Sequence, residues 1–185
     1  ESANALLKVM EEPPEGVLFL LTADSLAGVL PTIRSRCVSF AVAPVSPADC
    51  TRYCAAQGVD KKTAALYSEL FDGHIGTVLA VARDEARAAQ VEKALELARA
   101  AAARDSYTAA VLLAAYEKDK AGAAALLTDF RAVAAAGLRQ SPHAPVQGDA
   151  ARRALRLADA AIQRLGAQVN PKIVLSVFAA KFRAL

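Results

Sequence analysis

The hydrophobic pattern of this chain changes near residue 45. Before that point, the apolar residues form two short continuous runs, at residues 17–21 and 37–42. A run that is apolar on both faces is typical of a strand in the middle of a parallel sheet that is covered on both sides. After that point, the apolar residues recur at the three- and four-residue spacing of helices. We therefore predict a mostly α-helical chain that begins with a remnant of an α/β domain.

The two predicted strands are too few to form such a sheet. Parallel strands need crossover connections and neighbouring strands on either side. The first residue, Glu1, is also not an initiator methionine. We therefore expect residues 1–44 to be the end of a larger α/β domain whose main part lies upstream.

The remaining residues fall into two predicted groups of helices. Ser46 and Pro47 form a start signal, because serine caps the free backbone N–H groups of a helix and proline suits its first position. Three short helices are predicted to form one small domain at residues 45–83. Residues 84–185 are rich in alanine, the best helix former, and are predicted to form a five-helix bundle. Its helices are predicted at residues 87–104, 106–116, 119–138, 149–165 and from 170 onward.

Apolar stripes at helical spacing predict which side chains of the last helices are buried. In the third and fifth helices of the bundle, the predicted buried residues are Ala123, Leu126, Leu127, Phe130, Val133, Ala134, Leu138, Val174, Val177, Phe178 and Phe182.

Charge and cysteine content exclude several classes of function. With 22 basic and 19 acidic residues, the net charge of +3 is too small to demand a nucleic acid or a membrane surface as partner. The three cysteines, Cys37, Cys50 and Cys54, lack the spacing of a zinc site or a disulfide framework. No apolar run reaches the roughly 20 residues that span a bilayer. We therefore predict no metal site, no membrane partner and a cytoplasmic location with reduced thiols.

Two motifs near the N-terminus carry more specific information. The string ANALLKVMEEPP, residues 3–14, closely resembles the helix that follows the Walker B region in bacterial clamp-loader subunits of DNA polymerase III. The string LPTIRSRC, residues 30–37, matches the Ser-Arg-Cys motif of that family. The resemblance is moderate over residues 46–83, thin over 84–169, and stronger again at NPKIVLSVFAAKF, residues 170–182. It implies the end of an AAA+ (P-loop type) domain, a three-helix lid and a helical collar that oligomerises into a ring.

Arg36 is the main candidate functional residue. In this family, the arginine of Ser-Arg-Cys projects into the ATP site of a neighbouring subunit, so the resemblance implies that Arg36 is an arginine finger acting in trans. A planar, permanently charged guanidinium suits this role, because it can hold a γ-phosphate and neutralise charge that develops in phosphoryl transfer. We expect Ser35 and Cys37 to shape the turn that holds Arg36. Thr22 follows the first predicted strand, near where the family keeps its sensor 1 residue.

The lid sequence departs from that of an ATP-hydrolysing member of the family. Such a member is expected to carry a sensor 2 arginine at the start of the last lid helix, where this chain has Gly76. Glycine has no side chain that could contact a phosphate. The stretch GHIGTVL, residues 73–79, is instead similar to the delta-prime branch of the family. The sequence also has no GxxxxGKS or GxxxxGKT loop, so we expect no cofactor in this fragment. The resemblance implies that ATP with magnesium binds at neighbouring subunits.

These features predict a non-catalytic assembly subunit of a clamp loader, of delta-prime type. Its expected partners are the gamma/tau and delta subunits, through the collar and the AAA+ ring, and the sliding clamp and primed DNA in the assembled complex at the replisome. The alternative is an ATP-hydrolysing gamma/tau motor, which an arginine such as Arg83 reaching the nucleotide would favour. A free-standing helical adaptor or nucleic-acid binder would need a strongly basic face, which the sequence lacks.

Five other polar residues are given no chemical role. Lys8 lies one helical turn from Glu11 and Glu12, which is the spacing of an ordinary exposed ion pair. His74 and His143 lie in glycine- or proline-rich loops without other ligands nearby in the sequence.

Overall fold

A computed structural model describes residues 2–23, 25–43 and 45–185 of the chain, with side chains from Leu7 onward. The chain divides into two compact units, one ending at Ala43 and the other running to Leu185. The mostly helical class is confirmed. The finer domain limits, 1–44, 45–83 and 84–185, stay predictions.

The first unit contains one regular helix and two short turns. Helix α1 spans Ser2–Glu11 and ends just before Pro13 and Pro14, whose rings cannot continue a helix. A 3₁₀ turn at Leu26–Gly28 follows, and then the four-residue helix α2 at Pro31–Arg34.

The two strands predicted from the sequence do not form, and this prediction was wrong for the described residues. Residues 17–21 and 38–42 adopt no regular structure. A strand is stable only when its backbone groups pair with a neighbouring strand, and the described part of the chain supplies no such neighbour. The apolar side chains are consequently open to solvent, with Leu18 91% and Val42 95% exposed.

The second unit begins with three short helices. They are α3 at Pro47–Ala56, α4 at Lys61–Leu70 and α5 at Ile75–Arg83. The predicted start signal of α3 is confirmed, since the Ser46 hydroxyl accepts a hydrogen bond from the backbone N–H of Asp49 at 3.1 Å. Asp60 caps α4 in the same way through the N–H of Thr63, at 3.0 Å.

Five longer helices complete the chain, in the order and close to the limits that the sequence predicted. They are α6 at Glu85–Ala102, α7 at Ser106–Ala114, α8 at Lys120–Leu138, α9 at Gly148–Gly166 and α10 at Pro171–Ala180, with a final 3₁₀ turn at Lys181–Ala184. Four of them start at an Asp or Asn whose side chain accepts from backbone N–H groups of the first turn. Because these caps are local, the sequence predicts them well.

Helix α8 is the centre of the bundle and packs against both α6 and α9. Its Phe130 meets Phe178 and Phe182, with ring centroids 5.4 and 6.0 Å away. Most of the predicted buried stripe is confirmed, but Leu138 and Val177 are exposed. Leu138 is the last residue of α8, and Val177 shares the solvent face of α10 with Ile173, so neither has a neighbouring helix to cover it.

By length and composition alone, α8 is also apolar enough to cross a membrane, and it is the one such helix among the described residues. Half of its most apolar window is buried within the protein. Its apolar character is therefore explained by packing in the helical bundle, since core helices of globular domains reach similar hydropathy.

Candidate functional site

Arg36 lies in the tight turn that follows helix α2. The backbone N–H of Ser35 donates to the carbonyl of Pro31 at 3.0 Å, and that of Arg36 donates to Ile33 at 3.1 Å. The Ser35 hydroxyl donates to the carbonyl of Thr32, also at 3.0 Å. These bonds wind the chain once beyond the helix and place Arg36 on an ordered turn.

The guanidinium of Arg36 has three hydrogen-bond partners within its own unit, one of them the Ser35 hydroxyl, which accepts from Nη1 at 3.4 Å. One terminal nitrogen, Nη1, donates to the carbonyl of Thr32 at 2.9 Å. The other, Nη2, forms an ion pair with Oε1 of Glu11, at the end of α1. Both side chains stay open to solvent, at 35% exposure for Arg36 and 49% for Glu11. The candidate finger is thus an exposed cation whose two terminal nitrogens are already engaged.

Two other predicted residues of this unit, Cys37 and Thr22, are not among the hydrogen-bond partners of the Arg36 guanidinium. Cys37 follows Arg36 and is half-buried, with its backbone N–H donating to Arg34 at 3.3 Å. Thr22 is exposed in the irregular segment after residue 21. Among the described residues, the hydrogen-bond partners of the Arg36 guanidinium are Thr32, Ser35 and Glu11, so Thr22 is not brought to it.

Gly76 occupies the second position of α5 and is exposed. A Cβ atom built on it would meet no other atom within 4 Å, so the surface around this position is open. Arg83, at the other end of α5, turns toward α3, where it donates to the carbonyl of Gln57 at 3.5 Å. Gly76 therefore presents no side chain at the position where the sequence resemblance would place a sensor 2 arginine.

The two cysteines of α3 are fully buried and face each other, with 4.0 Å between their sulfur atoms. Burial raises the pKa of Cys54 to about 11, with a further contribution from Cys50. His74 directs Nδ1 to the carbonyl of Phe71 at 2.7 Å, which is a local contact. Within the described residues, no group of three or more His, Cys, Asp or Glu side chains could hold a metal ion.

The ion pairs that were not predicted from the sequence include two of particular interest. One is the Arg36–Glu11 pair described above. The other joins Arg87 of α6 to Asp129 of α8, which is only 3% exposed. Hydrogen bonding to Asp129 raises the pKa of the Arg87 guanidinium above its ordinary value. A signal for this pair existed, because Asp129 interrupts the apolar stripe of α8 and a buried carboxylate requires a partner.

Comparison with known proteins finds a family that the N-terminal part of the chain resembles. Residues 1–46 match the family described as DNA polymerase III, delta subunit. This stretch contains both motifs and the Arg36 turn, so the predicted resemblance to subunits of DNA polymerase III is confirmed there.

Individual relatives match over similarly short stretches. The delta' subunit of DNA polymerase III from Yersinia pestis is 46% identical over 52 residues, which are 28% of this chain and 15% of that protein. The delta' subunit from Haemophilus influenzae is 61% identical over 36 residues, which are 20% of this chain and 11% of that protein. The gamma subunit from Buchnera aphidicola is 44% identical over 48 residues, which are 26% of this chain and 13% of that protein. No solved structure matches the chain.

Proposed function

We propose that this chain is a delta-prime-type subunit of a DNA polymerase III clamp loader and that it supplies Arg36 to the ATP site of a neighbouring subunit. The observation that carries the proposal is the family match over residues 1–46, which includes the Ser-Arg-Cys turn. Two relatives named DNA polymerase III subunit delta' are also similar to this chain, over 52 and 36 residues.

The local geometry supports a role for Arg36 in trans. Its side chain is 35% exposed, so a group from another protein can approach the guanidinium. The turn after α2 holds the backbone in place through successive hydrogen bonds, which limits the conformational entropy lost when a phosphate binds. A guanidinium that binds phosphate oxygens stabilises the charge that spreads over them during phosphoryl transfer.

The open glycine in α5 supports an assembly subunit in preference to a motor. Gly76 provides no cation for a nucleotide bound beside this helix, whereas an ATP-hydrolysing member of the family is expected to carry arginine there. ATP and magnesium would therefore act at neighbouring subunits. The bundle at α6–α10 would serve as the collar that joins gamma/tau and delta subunits, and the loader would place a sliding clamp on primed DNA in the cytoplasmic replisome.

An ATPase assay of a reconstituted loader tests this function. Substituting Arg36→Ala in the full-length chain should lower the DNA- and clamp-stimulated rate by at least about 10²-fold, since fingers supplied in trans contribute roughly 10³–10⁵. Arg34→Ala is the matched control, because it removes the same charge two residues away and should leave the rate unchanged. An equal rate for Arg36→Ala and wild type would contradict the proposal.

A gamma/tau motor is the second candidate. It is favoured by the similarity to the DNA polymerase III gamma subunit of Buchnera aphidicola described above. The two candidates differ in what the isolated full-length chain does. ATP binding and turnover by that chain, weakened by Arg83→Ala, would favour the motor, and failure to turn over ATP would favour the assembly subunit.

A further inference from the structure

We infer that Glu11 is a positioning residue for Arg36, which it holds in a retracted position until a phosphate displaces it. Glu11 has this role only if Arg36 serves an ATP site, so it rests on the proposed function.

The ion pair joins two segments that are fixed independently. Glu11 is the last residue of α1, and the next residue, Glu12, still donates its N–H to the carbonyl of Lys8 at 3.3 Å. Arg36 is fixed by the hydrogen bonds of the turn after α2. The Glu11 carboxylate therefore contacts the end of the Arg36 side chain and holds Nη2 near the end of α1.

Glu11 occupies a donor that a phosphate would use. Carboxylate and phosphate oxygens both accept from the terminal N–H groups of arginine, and the strongest geometry engages two parallel donors. With Nη2 bound to Glu11 and Nη1 bound to Thr32, each terminal nitrogen already donates at least one of its two N–H groups, so fewer donors remain for a phosphate. The negative charge of Glu11 also offsets the positive charge that would stabilise a phosphoryl group.

A phosphate can replace the Glu11 carboxylate at Arg36 at a small cost in free energy. Both side chains of the pair are substantially exposed, and exposed ion pairs contribute little to stability. A nucleotide triphosphate carries more negative charge than one carboxylate, and an interface that closes over it excludes water and strengthens the attraction. The pair is thus weak enough to be released when a neighbouring subunit brings ATP.

Titration of the full-length chain with inorganic pyrophosphate tests the competition without a loader. The NMR signal of the Arg36 Nε–Hε group reports binding. Glu11→Gln should lower the apparent dissociation constant about two- to fivefold, which corresponds to the strength of an exposed ion pair. Glu12→Gln removes the same charge at the adjacent position and should change nothing. No saturable shift at Arg36, or equal or weaker binding in Glu11→Gln, would overturn the inference.

ATPase assays of the reconstituted loader separate this inference from the proposed function. Glu11→Gln should lower the apparent KM for ATP about two- to fivefold. It should have no effect in an Arg36→Ala background, whereas a merely structural role would persist there. Glu11→Asp, which keeps the charge, should restore most of the wild-type KM. An unchanged rate in Arg36→Ala would contradict the proposed function, while the pyrophosphate titration would still measure the competition between Glu11 and phosphate.

Discussion

Arg87 and Asp129 are 42 residues apart in the sequence, yet they form a two-point ion pair with both N–O distances at 2.5 Å. The pair joins the start of α6 to the middle of α8. Asp129 is almost completely buried, whereas the side chain of Arg87 keeps 31% of its exposure. Arg87 thus supplies the hydrogen bonds and the opposite charge that the Asp129 carboxylate needs on an otherwise apolar face of α8.

Loss of the Asp129 charge should destabilise the second unit. Asp129→Asn leaves the partly buried guanidinium of Arg87 without its anion. We expect the free energy of unfolding to fall by about 3 kcal/mol. This value is at the low end for buried ion pairs, because Arg87 reaches solvent. The control is Asp159→Asn, which removes an exposed partner of Arg131 and should cost less than about 1 kcal/mol. Urea unfolding measures both values, and equal losses would contradict the prediction.

Substitution by alanine should have opposite effects on stability at two glycines near α5. Gly73 has φ of +73°, and a Cβ there would lie 1.8 Å from the backbone oxygen of Val45. We expect Gly73→Ala to destabilise the protein by about 2 kcal/mol or more, from the strained backbone and the clash. Gly76→Ala meets open space inside a helix and should stabilise it by up to about 1 kcal/mol. Thermal unfolding distinguishes the two, and a tolerated Gly73→Ala would be the contrary result.

The cap at Asp60 should make stability depend on acid pH. Hydrogen bonds from the backbone N–H and then the hydroxyl of Thr63 lower the pKa of Asp60 below its ordinary value of 3.8. Its contribution is therefore complete above pH 3.8 and is lost as the pH falls through the lower pKa of the folded state.

Asp60→Ser keeps a hydrogen-bonding cap but does not titrate, and serves as the comparison. The difference in urea midpoint between wild type and Asp60→Ser should be constant from pH 7 to about pH 5. At lower pH, the midpoint of the wild type should fall relative to that of Asp60→Ser. A difference that does not change with pH would show that the charge of Asp60 plays no part.

The three cysteines should differ in reactivity toward a thiol reagent. Cys50 and Cys54 are fully buried, and a pKa of about 11 leaves Cys54 with roughly one thiolate in a thousand at pH 8. Cys37 is half-buried and should be modified first. Mass spectrometry after brief labelling should find the label on Cys37, with Cys50 and Cys54 modified only in denaturant. Early labelling of α3 would contradict the packing described for it.

The features predicted correctly are those that a few neighbouring residues determine. Ser46 and Asp49, or Asp60 and Thr63, meet within one helical turn, so the sequence alone indicates where α3 and α4 begin. The same holds for the Ser-Arg-Cys turn, whose hydrogen bonds link residues three or four apart.

The features that were missed depend on residues far apart in the chain. Arg36 and Glu11 are separated by 25 residues, whereas the local spacing predicted only an exposed ion pair between Glu11 and Lys8. The strands expected at residues 17–21 and 37–42 failed for the same reason. Their apolar pattern suits a sheet, but a strand also needs a partner that local sequence does not supply.

The most direct test of the central claim is single-turnover hydrolysis of ATP already bound to an assembled loader. Sedimentation first establishes that the complex with Arg36→Ala assembles as fully as wild type and Arg34→Ala. A rate constant for hydrolysis that falls at least about 10²-fold in Arg36→Ala alone is the predicted result, because an arginine finger would act on the chemical step. Equal rate constants in all three complexes would show that Arg36 is a surface arginine with no part in the reaction.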